Sequence, residues 1–215
     1  MRSGNSPGDQ APSPTERSFI EAARRGQIID AAIQVIAEAG FGKASFSRIA
    51  KRAGVSPSLI SYHFDDRADL IRSVLTTVNS EIDAALAAST ADAESYREVL
   101  RGLVTGLFRF AAARPERMNA LRQIAVATAA DPEPADLPMG DVAVGEWEGF
   151  LREGQEAGEF RPFDTRVMAL GIQGLLERMP GELLRREGAR DPEALSAEVY
   201  DNLARMVLVD PSTEE

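Results

Sequence analysis

The chain has 215 residues, with 24 basic against 34 acidic side chains and a formal net charge of −10, a balance that by itself argues against a nucleic-acid partner. It contains no Cys, which excludes disulfides, thiolate catalysis and Cys-ligated zinc. No run approaches the roughly 18 apolar residues of a membrane span, and the opening MRSGNSPGDQAPSPTE lacks the apolar centre of a signal peptide, so a cytoplasmic protein is expected.

Residues 1–16, rich in Pro, Ser and Gly, are read as a disordered arm, because so few apolar side chains cannot offset the entropy lost on ordering. Arg17, Arg24 and Arg25 behind it suit either a phosphate backbone or the solvated face of the first helix. That helix is expected over 18–39, where Ile29, Ile33 and Ile36 form a stripe flanked by Ile28, Ala32 and Val35, with Gly40 closing it. Residues 45–64, SFSRIAKRAGVSPSLISYHF, predict two short helices joined by a tight turn. Phe46, Ile49, Ala50 and Ala53 recur at helical spacing and face inward, leaving Arg48, Lys51 and Arg52 outward. Gly54 ends the first helix, since glycine enters the left-handed conformation without steric cost. Val55 plugs the corner, Ser56 can cap the next helix, and Pro57 fits its first position, where no backbone donor is needed. Along that helix Leu59, Ile60 and Phe64 can turn inward, leaving Ser58, Ser61, Tyr62 and His63 mostly outward. The pattern is a helix-turn-helix.

Downstream, residues 67–88 carry Leu70, Ile71, Val74, Leu75, Val78, Ile82 and Leu86 at helical intervals and are expected to lead from this head into a body. A helix over 92–113 and a shorter one from Pro115 follow, and Pro132, Pro134 and Pro138 mark a loop of about ten residues. Amphipathic runs at 141–157, 164–187 and 191–209 complete the chain. No strand run or internal repeat is present, so the fold class is all-α: an arm over 1–16, a helix-turn-helix domain over 17–66 and a helical body over 67–210.

Charge is distributed unevenly along this plan. Residues 17–72 hold nine basic and six acidic side chains, net +3, so the remainder carries −13; both Lys residues, Lys43 and Lys51, lie in the cationic part. Such asymmetry fits a phosphate-contacting module joined to a body that DNA repels. His63 is the single His, so a catalytic triad or His-ligated metal site would have to use it, and it lies inside the basic helix pair. Neither phosphate-cradling glycine pattern occurs, and the body has no Lys for Schiff-base chemistry. Paired carboxylates such as Glu146 and Glu148 are what a solvated acidic helix face supplies. No enzyme, cofactor or metal is therefore expected.

Ile49, Ala50, Ala53, Gly54, Val55, Ser56, Tyr62, His63, Phe64 and Arg67 together resemble the DNA-binding head of the TetR-like bacterial transcriptional regulators, over residues 24–75. In the body only helix order and the phrase REGQEAGEFRP, residues 152–162, are similar. The resemblance implies that Ser45 begins the second helix and touches phosphate, that Pro57, Ser58 and Leu59 sit at the groove-facing start of the recognition helix, and that Tyr62, His63 and Arg67 grip the backbone. Where the family usually has Lys-Gly and a first Tyr, this chain has Pro57-Ser58 and Ser61, which shifts the electrostatic load to Arg48, Lys51, Arg52 and Arg67. Position 48 holds Arg where a capping box needs Glu or Gln, so one donor at the start of that helix is expected to be left unpaired. Cations and hydroxyls on phosphates set register, whereas Ser58, Ser61 and Leu59 give only modest base readout, helped by DNA shape.

The resemblance further implies a body that binds a small-molecule effector and dimerises through its last two helices, 164–187 and 191–209. Met168, Gly171, Leu175 and Met179, with Gly174 adjacent, and Val199, Leu203, Met206 and Val207 offer stripes for a four-helix dimer bundle or for intrachain core. Dimerisation would let two heads read a palindromic double-stranded operator in register. Phe108, Met118, Arg122, Gln123, Trp147, Phe150 and Gln173 combine apolar walls with polar edges, as ligand sites and ordinary helix cores both do. The reading reached is a DNA-binding regulator, expected to be a repressor released by an effector that tilts the 67–88 helix. Its rivals are a helical protein-binding adaptor and an enzyme with a fortuitous helical corner.

Overall fold

Caps and breakers set where each helix starts and stops, and the computed structural model describes residues 14–130, 139–183 and 191–209. In chain order these form α1 (Pro14–Ala39), a single 3-10 turn (Phe41–Lys43), α2 (Phe46–Ala53), α3 (Pro57–His63), α4 (Arg67–Thr90), α5 (Tyr96–Ala113), α6 (Pro115–Ala130), α7 (Met139–Glu156), α8 (Thr165–Arg178), α9 (Pro180–Leu183) and α10 (Pro192–Val207). Among the described residues the extended pairing is one isolated bridge, Phe160 to Leu208, in keeping with the all-α class.

Three boundaries differ from expectation. Helix α1 already begins at Pro14, inside the arm assigned to 1–16; residues 1–13, like the loop of Pro132, Pro134 and Pro138, lie outside the described residues. Helix α5 starts at Tyr96 rather than 92, because Ser95 caps it by accepting from the Glu98 N–H at 3.2 Å. Helix α8 stops at Arg178 instead of continuing to 187: Pro180 has no N–H to extend the ladder, and the chain restarts as α9.

Among the described residues the apolar side chains form two cores. The first joins Ile28, Ile33 and Ile36 of α1 to Ile49, Ile60 and Phe64 of the helix-turn-helix and to Leu70, Ile71 and Val74 of α4, and it also takes in Ala120 and Ile124 of α6. The second packs Leu100, Val104 and Phe108 of α5 against Leu151 of α7, Ile172 of α8 and Leu203 of α10. Each large aliphatic or aromatic side chain buried this way contributes about 1.5–3 kcal/mol. The head is therefore seated on α4 and α6 as one packed unit, the first core taking side chains from both sides of residue 66/67.

Side chains fasten α6 to that unit. Arg117 donates to Asp30 Oδ1 at 2.8 Å and to Glu81 Oε2 at 2.9 Å, Arg114 donates to the same Glu81 oxygen at 3.1 Å, and Asn119 donates to the Ala37 carbonyl at 2.7 Å. Thus α1, α4 and α6 meet at one guanidinium. The REGQEAGEFRP phrase also gains a local explanation: the Glu159 carboxylate accepts from the N–H groups of Tyr96 and Arg97, at 3.1 and 3.0 Å, and so completes the start of α5. The buried Phe160 ring lies directly over Gly154, where a Cβ would meet ring carbons at 2.3 and 2.4 Å. Gly154→Ala is accordingly expected to destabilise the chain by about 1–3 kcal/mol through overpacking, read as a lower urea midpoint with unchanged slope.

Candidate nucleic-acid interface

The helix-turn-helix is closed by its own polar residues. Ser45 caps α2, accepting from the Arg48 N–H at 3.3 Å, while its own N–H donates to the Lys43 carbonyl at 3.0 Å. The donor expected to lack a partner for want of Glu at position 48 is thus satisfied by the preceding 3-10 turn. Gly54 adopts φ 67° and ψ 33°, a left-handed C-cap, and Val55 packs half-buried in the corner. Ser56 caps α3 by accepting from the Leu59 N–H at 3.2 Å and lies 2.8 Å from the Ser58 hydroxyl; the Ser61 hydroxyl donates to the Pro57 carbonyl at 3.4 Å.

Ile60 and Phe64 face the core, Leu59 and His63 are half-buried, and Pro57, Ser58, Ser61 and Tyr62 are exposed. Tyr62 is 70% exposed, its ring set perpendicular to that of His63 at 5.1 Å between centroids. Ser45, Arg48, Lys51, Arg52 and Ser56 are exposed as well. Arg48 and Lys51 have no ion-pair partner among the described residues, so their charge is available to an anionic ligand.

Two of the expected phosphate contacts hold partners within the chain. Arg52 pairs with Glu38 of α1, which compensates its charge. Arg67 donates to the Phe41 carbonyl at 2.5 Å and to the Ala44 carbonyl at 3.3 Å, with its guanidinium 4.2 Å above the Phe41 ring. The Phe41 carbonyl already accepts from the Ala44 N–H at 3.1 Å within the 3-10 turn, so the guanidinium at the start of α4 is its second donor. Two residues of α1 acquire a place the sequence reading did not give them. Gln27 donates to the Ala53 carbonyl at 2.7 Å, and Arg25 donates to the His63 carbonyl. Their spacing, just ahead of the buried Ile28, was the available signal.

Phe108 is fully buried, Met118 leans on the first core, and Trp147 and Phe150 stack edge to face at 5.8 Å beside the second. Gln123 is half-buried near Gly40, Gln173 donates to Glu177 at 2.8 Å, and Arg122 is exposed and donates to Asn119 at 2.7 Å. Phe108, Trp147 and Phe150 thus belong with the second core and Met118 with the first, while Arg122, Gln123 and Gln173 lie outside both; helical period marks polar edges but not which helices face each other. An open cleft of about 680 Å³ lies between the end of α1, α6 and α8–α9, with Arg122 on its wall among Glu38, Asn119, Glu177 and Arg178.

The dimer stripes also change. Val199, Leu203 and Val207 are buried in the second core, and Met168, Leu175 and Met179 pack half-buried against it. What α8 and α10 leave outward is Val167, 67% exposed, Leu170, 52%, and Met206, 40%, with Gly171 and Gly174 on the same outer side of α8.

Residues 28–74 match the family described as bacterial regulatory proteins, tetR family. The HTH-type transcriptional regulator BetI of Stenotrophomonas maltophilia is 36% identical over 90 residues, covering 41% of this chain and 46% of that protein. The chain thus spans about half the length of the curated relatives it matches. Among solved structures, the fatty acid degradation regulator FadR of Bacillus halodurans is 26% identical with a TM-score of 0.70, over 90% of this chain and 96% of that one. A protein from Saccharomonospora viridis solved in complex with choline is 20% identical with a TM-score of 0.74, over 88% of this chain and 100% of that one, a likeness of fold.

Proposed function

Since the chain is TetR-like in head and fold, we propose that it is a sequence-specific DNA-binding transcriptional regulator, working as a homodimeric repressor that a small-molecule effector releases from a palindromic operator. The observation that carries this reading is the capped α3, whose outward side presents Pro57, Ser58, Ser61 and a 70% exposed Tyr62 beside the available charges of Arg48 and Lys51. Hydroxyls and cations on phosphates fix the register of such a helix in the major groove, and Ser58 meets base edges.

The test is binding to the duplex flanking the protein's own gene, by gel shift and anisotropy between about 50 and 200 mM salt. Arg48→Ala and Lys51→Ala are each expected to weaken binding to every duplex and to flatten the slope of log affinity against log salt by about 0.9, one released counterion's worth. Ser58→Ala is expected to change site preference with the slope intact. Slopes unchanged in both cationic variants would remove those residues from the interface.

The homodimer is supported by the outward Val167, Leu170 and Met206, since a second copy would cover apolar surface that this chain leaves in water. Two heads about 34–36 Å apart fit successive major grooves, and an effector that changes the tilt of α4 spoils the spacing. Coupling is reciprocal, so operator must weaken effector binding by the same factor. The body's excess acid favours a cationic or neutral effector, and the choline held by the fold neighbour is a cation of that kind. Among the described residues no helix is long and apolar enough to cross a membrane, and a DNA partner places the protein in the cytoplasm.

A further inference from the structure

A helix leaves its last carbonyls without intrahelical partners, and helices as short as α2, with eight residues, and α3, with seven, have few other anchors. Here the terminal carbonyl of each is taken by a side chain from α1, two residues apart. Gln27 Nε2 donates to the carbonyl of Ala53, the last residue of α2, at 2.7 Å. Arg25 Nη1 donates to the carbonyl of His63, the last residue of α3. The other Arg25 nitrogen donates to Ser73 Oγ of α4 at 2.7 Å, the Asp69 carboxylate lies 3.9 Å away, and the guanidinium sits 4.1 Å over the buried Phe64 ring. One planar fork therefore ties α1 to the end of the recognition helix and to the first turns of α4. A cation at that end also meets the negative pole of the helix.

We propose that Arg25 and Gln27 are positioning residues for DNA recognition: bracing both helices at their C-terminal ends, they fix the angle at which α3 is presented, and Arg25 contacts no phosphate. This rests on the DNA-binding reading and refines it. The fork geometry explains why Arg stands at position 25, since a Lys ammonium is a point charge that cannot span His63 and Ser73 while stacked on Phe64.

The experiment uses a duplex selected from a random pool by the wild-type protein, a scrambled duplex of equal length, and the variants Arg25→Lys, Arg25→Gln and Gln27→Leu, each checked for its melting temperature. Both Arg25 variants are expected to bind the selected duplex about tenfold or more weakly, with little change on the scrambled one and a wild-type salt slope. Gln27→Leu is expected to act in the same direction, less strongly, and it carries the test if the Arg25 variants do not fold. A salt slope flatter by about one unit, with equal losses on both duplexes, would make Arg25 a phosphate ligand and overturn the proposal. Equal losses with the slope intact would reduce it to a folding residue, and unchanged discrimination would leave the brace without effect; either also overturns it. If the wild type enriches no sequence from the pool, the DNA-binding reading itself fails, an outcome distinct from any of these.

Discussion

Leu170→Glu is expected to split the proposed dimer and to lower affinity for its operator by about 10²–10⁴-fold while leaving each chain folded. The size follows from geometry. A single seven-residue recognition helix reads one half-site, and pairing two heads makes the second contact intramolecular, so affinity falls by the lost effective concentration once the pair separates. The position follows from what the chain leaves uncovered. Leu170 and Val167 are 52% and 67% exposed, and a Cβ added at Gly171 or Gly174 would find no atom within 4 Å. Each of those mid-helix glycines costs about 0.5–1 kcal/mol relative to Ala, and nothing among the described residues requires it, whereas the close approach of a helix from a second copy, in the dimer proposed above, would. Because Leu170 is already half in water, a charge there should change monomer stability by no more than about 0.5 kcal/mol. Sedimentation velocity and anisotropy on one preparation check both halves of the prediction. A variant that stays dimeric and binds as wild type would move the interface off this face.

What the sequence made legible was local. Ser45, Gly54, Ser56 and Pro57 take the cap and turn positions expected of them because a cap or a turn is decided within three or four residues. Longer reach defeated the reading. Arg25 and Arg67 resemble Arg48 in sequence, but each turns inward to carbonyls 38 and 26 residues away, and only the packing of α1 and α4 brings those carbonyls within range. A long guanidinium stem selects among partners that no periodicity displays. Helix α8 failed differently. It is apolar on two sides, with Ala169, Ile172 and Leu176 buried and Val167 and Leu170 outward, and a helical repeat says that a face is apolar without saying what covers it. Pro180, by contrast, was a readable stop signal for α8 that the amphipathic pattern around it masked.

Arg117→Met is expected to destabilise the protein by about 1–3 kcal/mol near neutral pH, and the loss should shrink as the medium is acidified. Fully buried ion pairs cost about 3–5 kcal/mol when broken from one side, and exposed pairs about 0–1. With side-chain exposures of 16% for Arg117 and 25% for Glu81, this junction falls between. Met keeps most of the apolar stem while removing the donors to Asp30 and Glu81. The Glu81 carboxyl is held below its ordinary value of 4.5, chiefly by the hydrogen bond from Arg117, against the opposing effect of burial, and further by the charges of Arg117 and Arg114. A carboxyl depressed by folding contributes stability that is complete above its unfolded value and is lost as pH falls through the lower folded value. The difference between wild type and variant should therefore be full at about pH 7 and smaller at about pH 3.5, below the ordinary carboxyl value, where the unfolded chain takes up the proton that folded Glu81 resists. Arg117 itself, raised further by Glu81, stays charged throughout. Urea unfolding at both pH values measures the gap; one that is equally wide in acid would mean that the Glu81 charge is not what Arg117 serves. Because the same guanidinium bonds Asp30 on α1, the variant should also weaken the grip of α6 on the head, visible as faster amide exchange at the end of α1 beside Ala37, whose carbonyl Asn119 holds.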